Sequence, residues 1–517
     1  MTKTRVLLKV ESYRKGIVLS TVFNVINKGL VFLNSLAIAY YFGTQVKVDL
    51  YFYAYNTVLL IVSFITSLNS SVLIPESMRI REHERPQEVI HFFNFFIYGY
   101  LLLTVLLCCF FFINPISAFT TLSNYDPGTL SAQAGILYMS VPLIMLVTIT
   151  TMLADILTSY RFFTIPMIAA IINSLFSFFF IIFFHKSMDV RSITLGLLIS
   201  YSVNIIFLLF LLKKYLHWNF RYKFVRLGSR VWGNIVYAQI GNFVTTLGSY
   251  APLYFLSGVG KGVIAALNYA QQISTQPTSF ITNQFSAVSR IRMSELYVKK
   301  DYPKINEIFL ITIRFLLFIL MPVSGILFLY SNEIVTTLFK RGSFDAHSVK
   351  VSADFLRYLG LSLPFTAVVS IAGNLYVAAQ LIRASIGYQV LSNLLLIVLV
   401  YFSLHWFGYV GYPIAYLAIN ILNVLIIYIF CRLFFPFIKY VEILKHIMVL
   451  IGCNGLIVFA LDAMGHLKTN ASSFVVLLLG SFIYIAALLI INFVFHLNTD
   501  LNSFLAIIRQ KVTIKRQ

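Results

Sequence analysis

Charged side chains are scarce in this sequence. They make up 11% of the 517 residues, whereas an average soluble chain carries about 25%. Hydrophobic residues make up 59%, and the mean hydropathy is +0.86. One water-soluble core cannot hide so much apolar side chain, which excludes an ordinary globular protein. The composition fits lipid as the solvent, because each membrane-spanning helix needs roughly 20 apolar residues.

Apolar runs of this length recur along the whole chain. The sequence therefore predicts an all-α integral membrane protein with about fourteen transmembrane helices. The predicted spans are residues 16–42, 49–75, 90–113, 134–158, 161–184, 192–213, 231–257, 262–289, 306–330, 351–379, 384–405, 411–434, 442–464 and 473–496.

Cysteines are few and the usual catalytic motifs are missing. The four cysteines lie in or beside apolar runs, which predicts buried thiols rather than a disulfide framework. No Walker loop, HExxH or GxSxG motif occurs, and the nine histidines follow no metal-ligand spacing. We therefore predict no enzymatic activity, no cofactor and no metal. The apolar run after residues 1–15 is too long for a cleavable signal and is interpreted as the first span.

Basic residues are distributed unequally between the predicted loops. With the N-terminus inside, 28 of the 39 lysines and arginines fall on the cytoplasmic side and 8 on the outer side. This bias follows the positive-inside rule and predicts that both termini lie in the cytoplasm. The net charge of +21 then faces anionic membrane lipids rather than nucleic acid.

Short sequence segments repeat in the same order. Their similar offsets predict two homologous six-helix lobes, related by a pseudo-twofold axis along the membrane normal. Apolar helices that resemble each other by composition alone are the alternative. The repeats are Tyr53-Ala54 and Phe64-Ile65-Thr66 with Tyr269-Ala270 and Phe280-Ile281-Thr282 at an offset of 216, and Pro142 and Arg161 with Pro364 and Arg383 at an offset of 222.

Four regions follow from this organisation. Residues 1–213 form the N-terminal lobe, and residues 231–434 form the C-terminal lobe. Residues 435–517 add two spans and a cytoplasmic tail. The basic and aromatic linker at 214–230 is expected to lie on the cytoplasmic leaflet, with a solvated connection as the alternative.

Polar residues inside the predicted spans mark a candidate binding cavity, because each is costly in lipid unless it faces a cavity or a partner. Lys28 lies midway along the first span, and a cation there suits an anionic group such as pyrophosphate. A lysine that reaches the nearer interface or pairs with an acid is the alternative. The candidate cavity residues are Lys28, Asn24, Asn27, Asn34, Asp49, Asn56 and Gln272.

Structural interpretations are available for Asp49, for Arg314 and for the loop Arg341–Asp345. Asp49 could pair with Lys47 or gate the cavity, or it could accept backbone N–H groups as a helix cap. Arg314 lies near a cytoplasmic helix end, where its guanidinium is expected to reach the interface or to interact with the helix end. In the loop Arg341–Asp345, Gly342 can turn the chain and the residues after it can cap the tenth span.

Several motifs follow one another along the chain. They are Arg161-Phe162-Phe163-Thr164-Ile165-Pro166 followed by Asn173, Leu338-Phe339-Lys340-Arg341-Gly342-Ser343-Phe344, Arg314 with Pro322, and Phe42-Gly43 followed by Asp49. In these motifs the chain resembles the MurJ/MviN lipid II flippases of the MOP exporter superfamily. The similarity extends over most of the sequence.

The resemblance implies a V-shaped pair of lobes with a cationic cavity for pyrophosphate and sugars. It also implies that the two C-terminal helices form a groove for a polyprenyl tail. Where the family has cavity arginines, this chain has Lys28, Asn34, Val62 and Gln272, so that only Lys28 keeps the charge. Arginine and lysine are not equivalent at a bidentate phosphate site.

The expected function is translocation of a polyprenyl-pyrophosphate-linked saccharide, either lipid II or a related glycan precursor, to the outer leaflet by alternating access. The expected partners are this lipid-linked sugar, anionic membrane lipids and envelope-biosynthesis proteins. One alternative is a cation-coupled small-molecule antiporter, which needs a titratable acid deep in a lobe, and none is identified. The other is a non-transporting scaffold for envelope assembly, which the lost arginines favour.

Overall fold

A computed structural model of the chain describes residues 13–83, 86–463 and 472–495. Within these ranges every regular element is a helix, and no β-strand occurs. This confirms the prediction of an all-α protein. The basic residues before position 13, the connection between the last two predicted spans and the cytoplasmic tail lie outside the described residues.

The described residues form two compact units. The first contains the residues up to Ala265 and the loop Arg341–Phe344, and the second contains Ala266–Lys340 and the residues from Asp345 onward. The boundary at Ala265 lies one helix beyond the linker at 214–230. The lobes defined by the sequence repeat stay a prediction.

Among its described residues, the first unit has eleven α-helices and one π-helix. In chain order they are α1 (Tyr13–Phe42), α2 (Val46–Leu68), π1 (Asn69–Leu73), α3 (Ile74–His83), α4 (Pro86–Ile113), α5 (Pro115–Thr121), α6 (Pro127–Ala132), α7 (Ala134–Ser140), α8 (Pro142–Ser159), α9 (Ile165–Met188), α10 (Arg191–Leu216) and α11 (Ser229–Leu256).

The second unit continues from the first turn of the next helix. Its elements are α12 (Val263–Pro277), π2 (Thr278–Thr282), α13 (Asn283–Val298), α14 (Tyr302–Leu329), α15 (Ser331–Phe339), α16 (Ala346–Leu361), α17 (Leu363–Ala378), α18 (Ile382–Phe407), a 3₁₀ turn (Gly408–Val410), α19 (Gly411–Phe434), α20 (Tyr440–Ala463) and α21 (Ser473–Phe495).

Each predicted span coincides with a helix or with consecutive helices. By length and composition, ten helical stretches among the described residues can cross a membrane, or eleven if the bent pair α16–α17 forms one span. One of the ten, Arg383–Phe434, contains both α18 and α19, which pack against each other. Helices α11 and α12 fall outside the ten because amide side chains such as Asn234, Gln239 and Gln272 lower their hydropathy. The count of fourteen stays a prediction.

Two continuous helices contain a π-helical segment. Helix α2 passes through π1 into α3, and α12 passes through π2 into α13. Both segments occur in the second predicted span of a sequence repeat. π-Helices are rare, and many of them lie at functional sites.

The linker after α10 is not helical between residues 217 and 228. The Trp218 side chain is 4% exposed, and its Nε1–H donates to Asn94 Oδ1 on α4 at 2.9 Å. Asn94 Nδ2 in turn donates to the carbonyl oxygens of Asn219 (2.6 Å) and Arg221 (3.1 Å). These bonds fasten the linker to α4, and its position relative to the membrane stays a prediction.

Tyrosine side chains pack against glycines where the C-terminal helices α20 and α21 contact the segment around α14. A Cβ on Gly325 of α14 would overlap the Tyr484 hydroxyl of α21. A Cβ on Gly480 of α21 would overlap the Tyr330 hydroxyl, which follows α14. The Tyr484 hydroxyl also donates to Asn454 Oδ1 of α20 at 3.0 Å. Each glycine therefore provides the space for a tyrosine of the other chain segment.

All four cysteines are free thiols, as predicted. Cys108 and Cys431 are buried, whereas Cys109 is exposed and Cys453 is partly exposed. The prediction that every thiol is buried was therefore wrong. It was wrong because a thiol in an apolar helix can also point away from the packed interior of its unit.

Candidate functional site

Two of the predicted cavity residues join α1 to α9. The Ser174 hydroxyl donates to Asn27 Oδ1 at 2.9 Å. Asn34 Nδ2 donates to the Ser174 carbonyl oxygen at 2.8 Å, and Asn34 is 8% exposed. These hydrogen bonds satisfy the Asn34 amide N–H, the Ser174 hydroxyl and Asn27 Oδ1, whereas Asn34 Oδ1 is buried without a hydrogen-bond partner among the described residues. In this conformation both asparagines contribute to helix packing.

Lys28 lies on the same helix and remains partly exposed. None of the ion pairs among the described residues includes its ammonium group. Asn24, Asn56 and Gln272 are also partly exposed, the first two in the first unit and Gln272 in the second. A cation within a span, without a paired acid, has the electrostatic property that an anionic ligand needs.

Asp49 caps a helix other than its own. Its carboxylate is fully buried and accepts the backbone N–H of Ala265 at 2.8 Å, in the first turn of α12. The Tyr125 hydroxyl donates to the same carboxylate at 2.7 Å. A carboxylate at a helix N-terminus satisfies free N–H groups and is favoured by the helix dipole. Asp49 therefore accepts a backbone N–H as in a helix cap, but the helix concerned is α12 and not α2, whose N-cap residue is Gln45.

Lys47 pairs with Asp189 rather than with Asp49. Asp189 follows α9 and adopts a positive φ of 52°. Nearby, the Tyr41 ring stacks on the His185 ring with 3.9 Å between the centroids. Of the interpretations left open for Asp49, the pair with Lys47 is therefore not formed, because packing of α9 brings a different carboxylate to the lysine.

The motif at the start of the fifth predicted span forms a helix start. Arg161 adopts a positive φ of 68°, and Pro166 is the second residue of α9. Proline is well tolerated in a first helical turn, where its missing N–H has no partner in the helix. Further along, Asn173 Oδ1 accepts a hydrogen bond from Asn204 Nδ2 of α10 at 2.7 Å. The motif therefore begins α9 and joins it to α10.

The loop Arg341–Phe344 approaches the end of α1 through its backbone. Ser343 N donates to the Tyr40 carbonyl oxygen at 2.8 Å, and the Ser343 hydroxyl donates to the Tyr41 carbonyl oxygen at 2.9 Å. Gly342 has φ +59°, and a Cβ there would overlap the Tyr40 carbonyl oxygen. Both observations explain why glycine occupies this turn. Arg341 itself is exposed.

Asp345 caps the next helix, α16. The backbone N–H of Ser348 donates to Asp345 Oδ1 at 2.8 Å, and the Ser348 hydroxyl donates to the same atom at 2.7 Å. These bonds stabilise the carboxylate and lower the pKa of Asp345 from its usual value. The predicted roles of Gly342 as a turn and Asp345 as a cap are confirmed.

Arg314 has a carboxylate partner. Its Nη2 lies 2.6 Å from Glu442 Oε2, which joins α14 to the first turn of α20. The two side chains are 29% and 41% exposed. The structure thus replaces the expectation that Arg314 reaches the interface alone with an ion pair between two helices.

Asp155 is the polar residue that the sequence analysis missed. It lies on α8, and its Oδ2 accepts a hydrogen bond from Asn69 Nδ2 of π1 at 2.8 Å. A single acid in the apolar run 134–158 is the signal that could have identified it. The sequence analysis identified no titratable acid within a lobe, and Asp155 is such an acid, partly exposed and one turn before the end of α8.

Comparison with known proteins places these residues in a family. The sequence model of the lipid II flippase MurJ family matches residues 38–492. This chain belongs to that family. The resemblance found in the motifs is confirmed, and the chain is a multi-pass membrane protein of a family of flippases.

Relatives with the name probable lipid II flippase MurJ are similar over most of their length. The protein of Buchnera aphidicola subsp. Acyrthosiphon pisum is 24% identical over 443 residues, which cover 80% of this chain and 82% of the relative. The protein of Borreliella burgdorferi is 23% identical over 407 residues, which cover 76% of this chain and 77% of the relative.

Solved structures show the shared fold. A lipid II flippase MurJ in an inward closed conformation has a TM-score of 0.78 at 18% identity, over 93% of this chain and 99% of that chain. An inward-facing MATE family transporter of the MOP superfamily has a TM-score of 0.69 at 14% identity, over 81% of this chain and 97% of that chain. Both likenesses support the predicted fold class.

Proposed function

We propose that this protein translocates a polyprenyl-pyrophosphate-linked saccharide from the cytoplasmic to the outer leaflet by alternating access. The substrate class is lipid II or a related glycan precursor. Membership in the lipid II flippase MurJ family, over residues 38–492, is the observation that carries this proposal. The relatives from Buchnera and Borreliella bear the corresponding name over about three quarters or more of the chain.

Lys28 is our candidate for the contact with the pyrophosphate. It is a cation within a predicted span, it is partly exposed, and none of the described ion pairs uses it. Hydrogen bonds between an ammonium and a phosphate are stronger than those between neutral groups. Asn24, Asn56 and Gln272 would add neutral contacts to sugar hydroxyls, and Asn27 and Asn34 would fix α1 beside them.

The remaining expectations complete this proposal. The two lobes at 1–213 and 231–434 would rock about a substrate path, with the linker at 214–230 on the cytoplasmic leaflet and both termini in the cytoplasm. Anionic lipids would bind the basic cytoplasmic loops. Envelope-biosynthesis proteins would supply or receive the lipid-linked sugar.

Depletion of the protein in cells tests the transport function. We expect a lipid-linked sugar to accumulate in the cytoplasmic leaflet, as detected by its protection from a probe added outside. Unchanged lipid levels together with a new sensitivity to small cationic drugs would contradict the proposal and favour the antiporter. Unchanged lipid levels without such sensitivity would favour the scaffold.

Native mass spectrometry of the purified protein tests the role of Lys28. Loss of one charge-assisted contact is worth about 1.5–3 kcal/mol, so Lys28→Gln should weaken retention of the co-purified lipid by about 10- to 100-fold. Lys28→Arg should keep most of the binding. Lys261→Gln removes an exposed lysine between α11 and α12 and serves as the control. If Lys28→Gln retains as much lipid as the control, Lys28 is not part of the binding site.

A further inference from the structure

A chain of three polar side chains crosses the interior of the first unit. The Tyr100 hydroxyl on α4 donates to Asn69 Oδ1 at 3.0 Å, and Asn69 Nδ2 donates to Asp155 Oδ2 at 2.8 Å. Tyr100 is 5% exposed and Asn69 is 1% exposed, whereas Asp155 is partly exposed. The carboxylate therefore closes a buried hydrogen-bond chain at its partly exposed end.

No positive charge among the described residues neutralises this carboxylate in an ion pair. Tyr100 faces it from α4 and Asn69 faces it from π1. Arg81 on α3 instead donates to the Ser159 carbonyl oxygen at 3.1 Å, and its guanidinium lies 3.9 Å from the centre of the Tyr160 ring. Among the described residues, the side chain that donates to the Asp155 carboxylate is the Asn69 amide, which carries no compensating charge.

The other elements packed around α8 carry their acidic, basic and histidine side chains toward their ends, Glu88 and His91 on α4, Lys213 and Lys214 on α10, and His185 and Lys186 on α9. No Asp, Glu, Lys, Arg or His occurs in residues 50–75 of the α2–π1 segment, in residues 134–140 of α7, in residues 165–184 of α9, or in residues 192–212 of α10. On α3, Glu76 pairs with Arg79 at 2.5 Å. An isolated carboxylate in such surroundings changes its interactions greatly when it gains or loses a proton.

The second unit contains a neutral equivalent of this contact. Asn374 Nδ2 on α17 donates to the Ser286 carbonyl oxygen at 3.0 Å and to the Ser286 hydroxyl oxygen at 3.1 Å. Ser286 follows π2 closely, as Asn69 begins π1. The offsets from Asn69 to Ser286 and from Asp155 to Asn374 are 217 and 219, within the range of the sequence repeat.

Both contacts therefore join the second and fourth predicted spans of a repeat beside a π-helix. They differ in one property: the first can carry a negative charge and the second cannot. A duplicated contact that is ionisable in only one copy points to a role for the charge beyond helix packing.

We propose that Asp155 is a proton-binding site, and that protonation switches the contact between α8 and π1 while the Asn374–Ser286 contact stays constant. The proton adds to a carboxylate oxygen from water, and the charge of that group changes from −1 to zero. The Asn69 amide then donates to a neutral acid. Because charge-assisted hydrogen bonds are roughly twice as strong as neutral ones, α8 and π1 are held together less tightly after protonation.

A proton fits this site better than a metal cation. The Asn69 amide N–H points at the carboxylate, where a cation ligand would need an oxygen lone pair. No group of three or more His, Cys, Asp and Glu side chains among the described residues has the arrangement of a metal site. The proposal that Asp155 binds a proton does not depend on which substrate the protein transports. The coupling of proton binding to lipid translocation rests on the function proposed above.

Infrared difference spectroscopy of the full chain in lipid, recorded between two pH values, measures the protonation directly. We expect a C=O stretching band of a protonated carboxyl in the wild type and its loss in Asp155→Asn. Asn374→Asp should add a second band, because it makes the neutral contact ionisable. Asp126→Asn, which changes an exposed cap of α6, should leave the interior band unchanged.

Asn69→Ala provides a second variant that keeps the carboxyl group. It should shift the frequency of the band, since the amide that contacts Asp155 is lost. An unchanged difference spectrum in Asp155→Asn would overturn the proposal, and so would a band that sodium ions displace at constant pH. In proteoliposomes, loss of the pH dependence of lipid transport in Asp155→Asn would support the coupling. If the wild type transports no lipid-linked sugar, the spectroscopic result still stands and only the coupling fails.

Discussion

The contact between Asp49 and the first turn of α12 makes a quantitative prediction about stability. Asp49→Ala removes the acceptor for the Ala265 N–H and for the Tyr125 hydroxyl. Loss of a helix cap costs about 0.5–2 kcal/mol. A buried hydroxyl left without a partner costs about 1–3 kcal/mol. We therefore expect the free energy of unfolding to fall by about 1.5–5 kcal/mol.

A double-mutant cycle separates the two contributions. Tyr125→Phe alone loses one hydrogen bond to a charged group, worth about 1.5–3 kcal/mol. In the double variant no hydroxyl is left unsatisfied, so its destabilisation should be smaller than the sum of the single effects by about 0.5–3 kcal/mol. Equilibrium unfolding in mixed micelles, followed by circular dichroism, gives the three values. An Asp49→Ala variant within about 0.5 kcal/mol of the wild type would refute the reasoning.

Three smaller effects follow from the loops and the ion pair. Gly342→Ala should destabilise the protein by at least about 1–2 kcal/mol because of its positive φ, whereas Gly29→Ala, in an open helical position, should be neutral or stabilising in the same thermal unfolding assay. Arg314→Gln should cost about 0.2–1 kcal/mol, an effect that high salt removes. Asp345→Ala should cost about 1 kcal/mol near neutral pH. Folding lowers the pKa of Asp345. The stability difference between the wild type and Asp345→Ala should therefore be complete above the pKa of the unfolded chain, about 3.9, and should vanish as the pH falls through the pKa of the folded protein.

The positions of the helices could be predicted because membrane spans depend on local composition. The segment predicted at 411–434 is α19 with the same bounds. The segment predicted at 49–75 is longer in the structure, because π1 leads into α3 and that helix continues to His83. Polar residues such as Glu76 are tolerated there, since a helix can extend beyond the apolar region that the prediction measures.

The partners of polar residues could not be predicted in the same way. Asn34 binds a carbonyl oxygen 140 positions away, and Asp49 binds an N–H 216 positions away. Such pairs depend on which helices pack together, and apolar runs carry little information about that. Asp155 is different, because a lone acid in an apolar run is visible in the sequence, and only its contact with π1 required the structure.

The reciprocal packing of a tyrosine on a glycine between α21 and the segment around α14 has a practical consequence. Gly325 and Gly480 admit Tyr484 and Tyr330 only at one rotation and one height of α21. A single residue inserted within α21 would turn the following side chains by about 100° and misalign them with these spaces. A fluorescent label on α21 would therefore report displacements of the whole second unit, rather than independent sliding of a terminal helix.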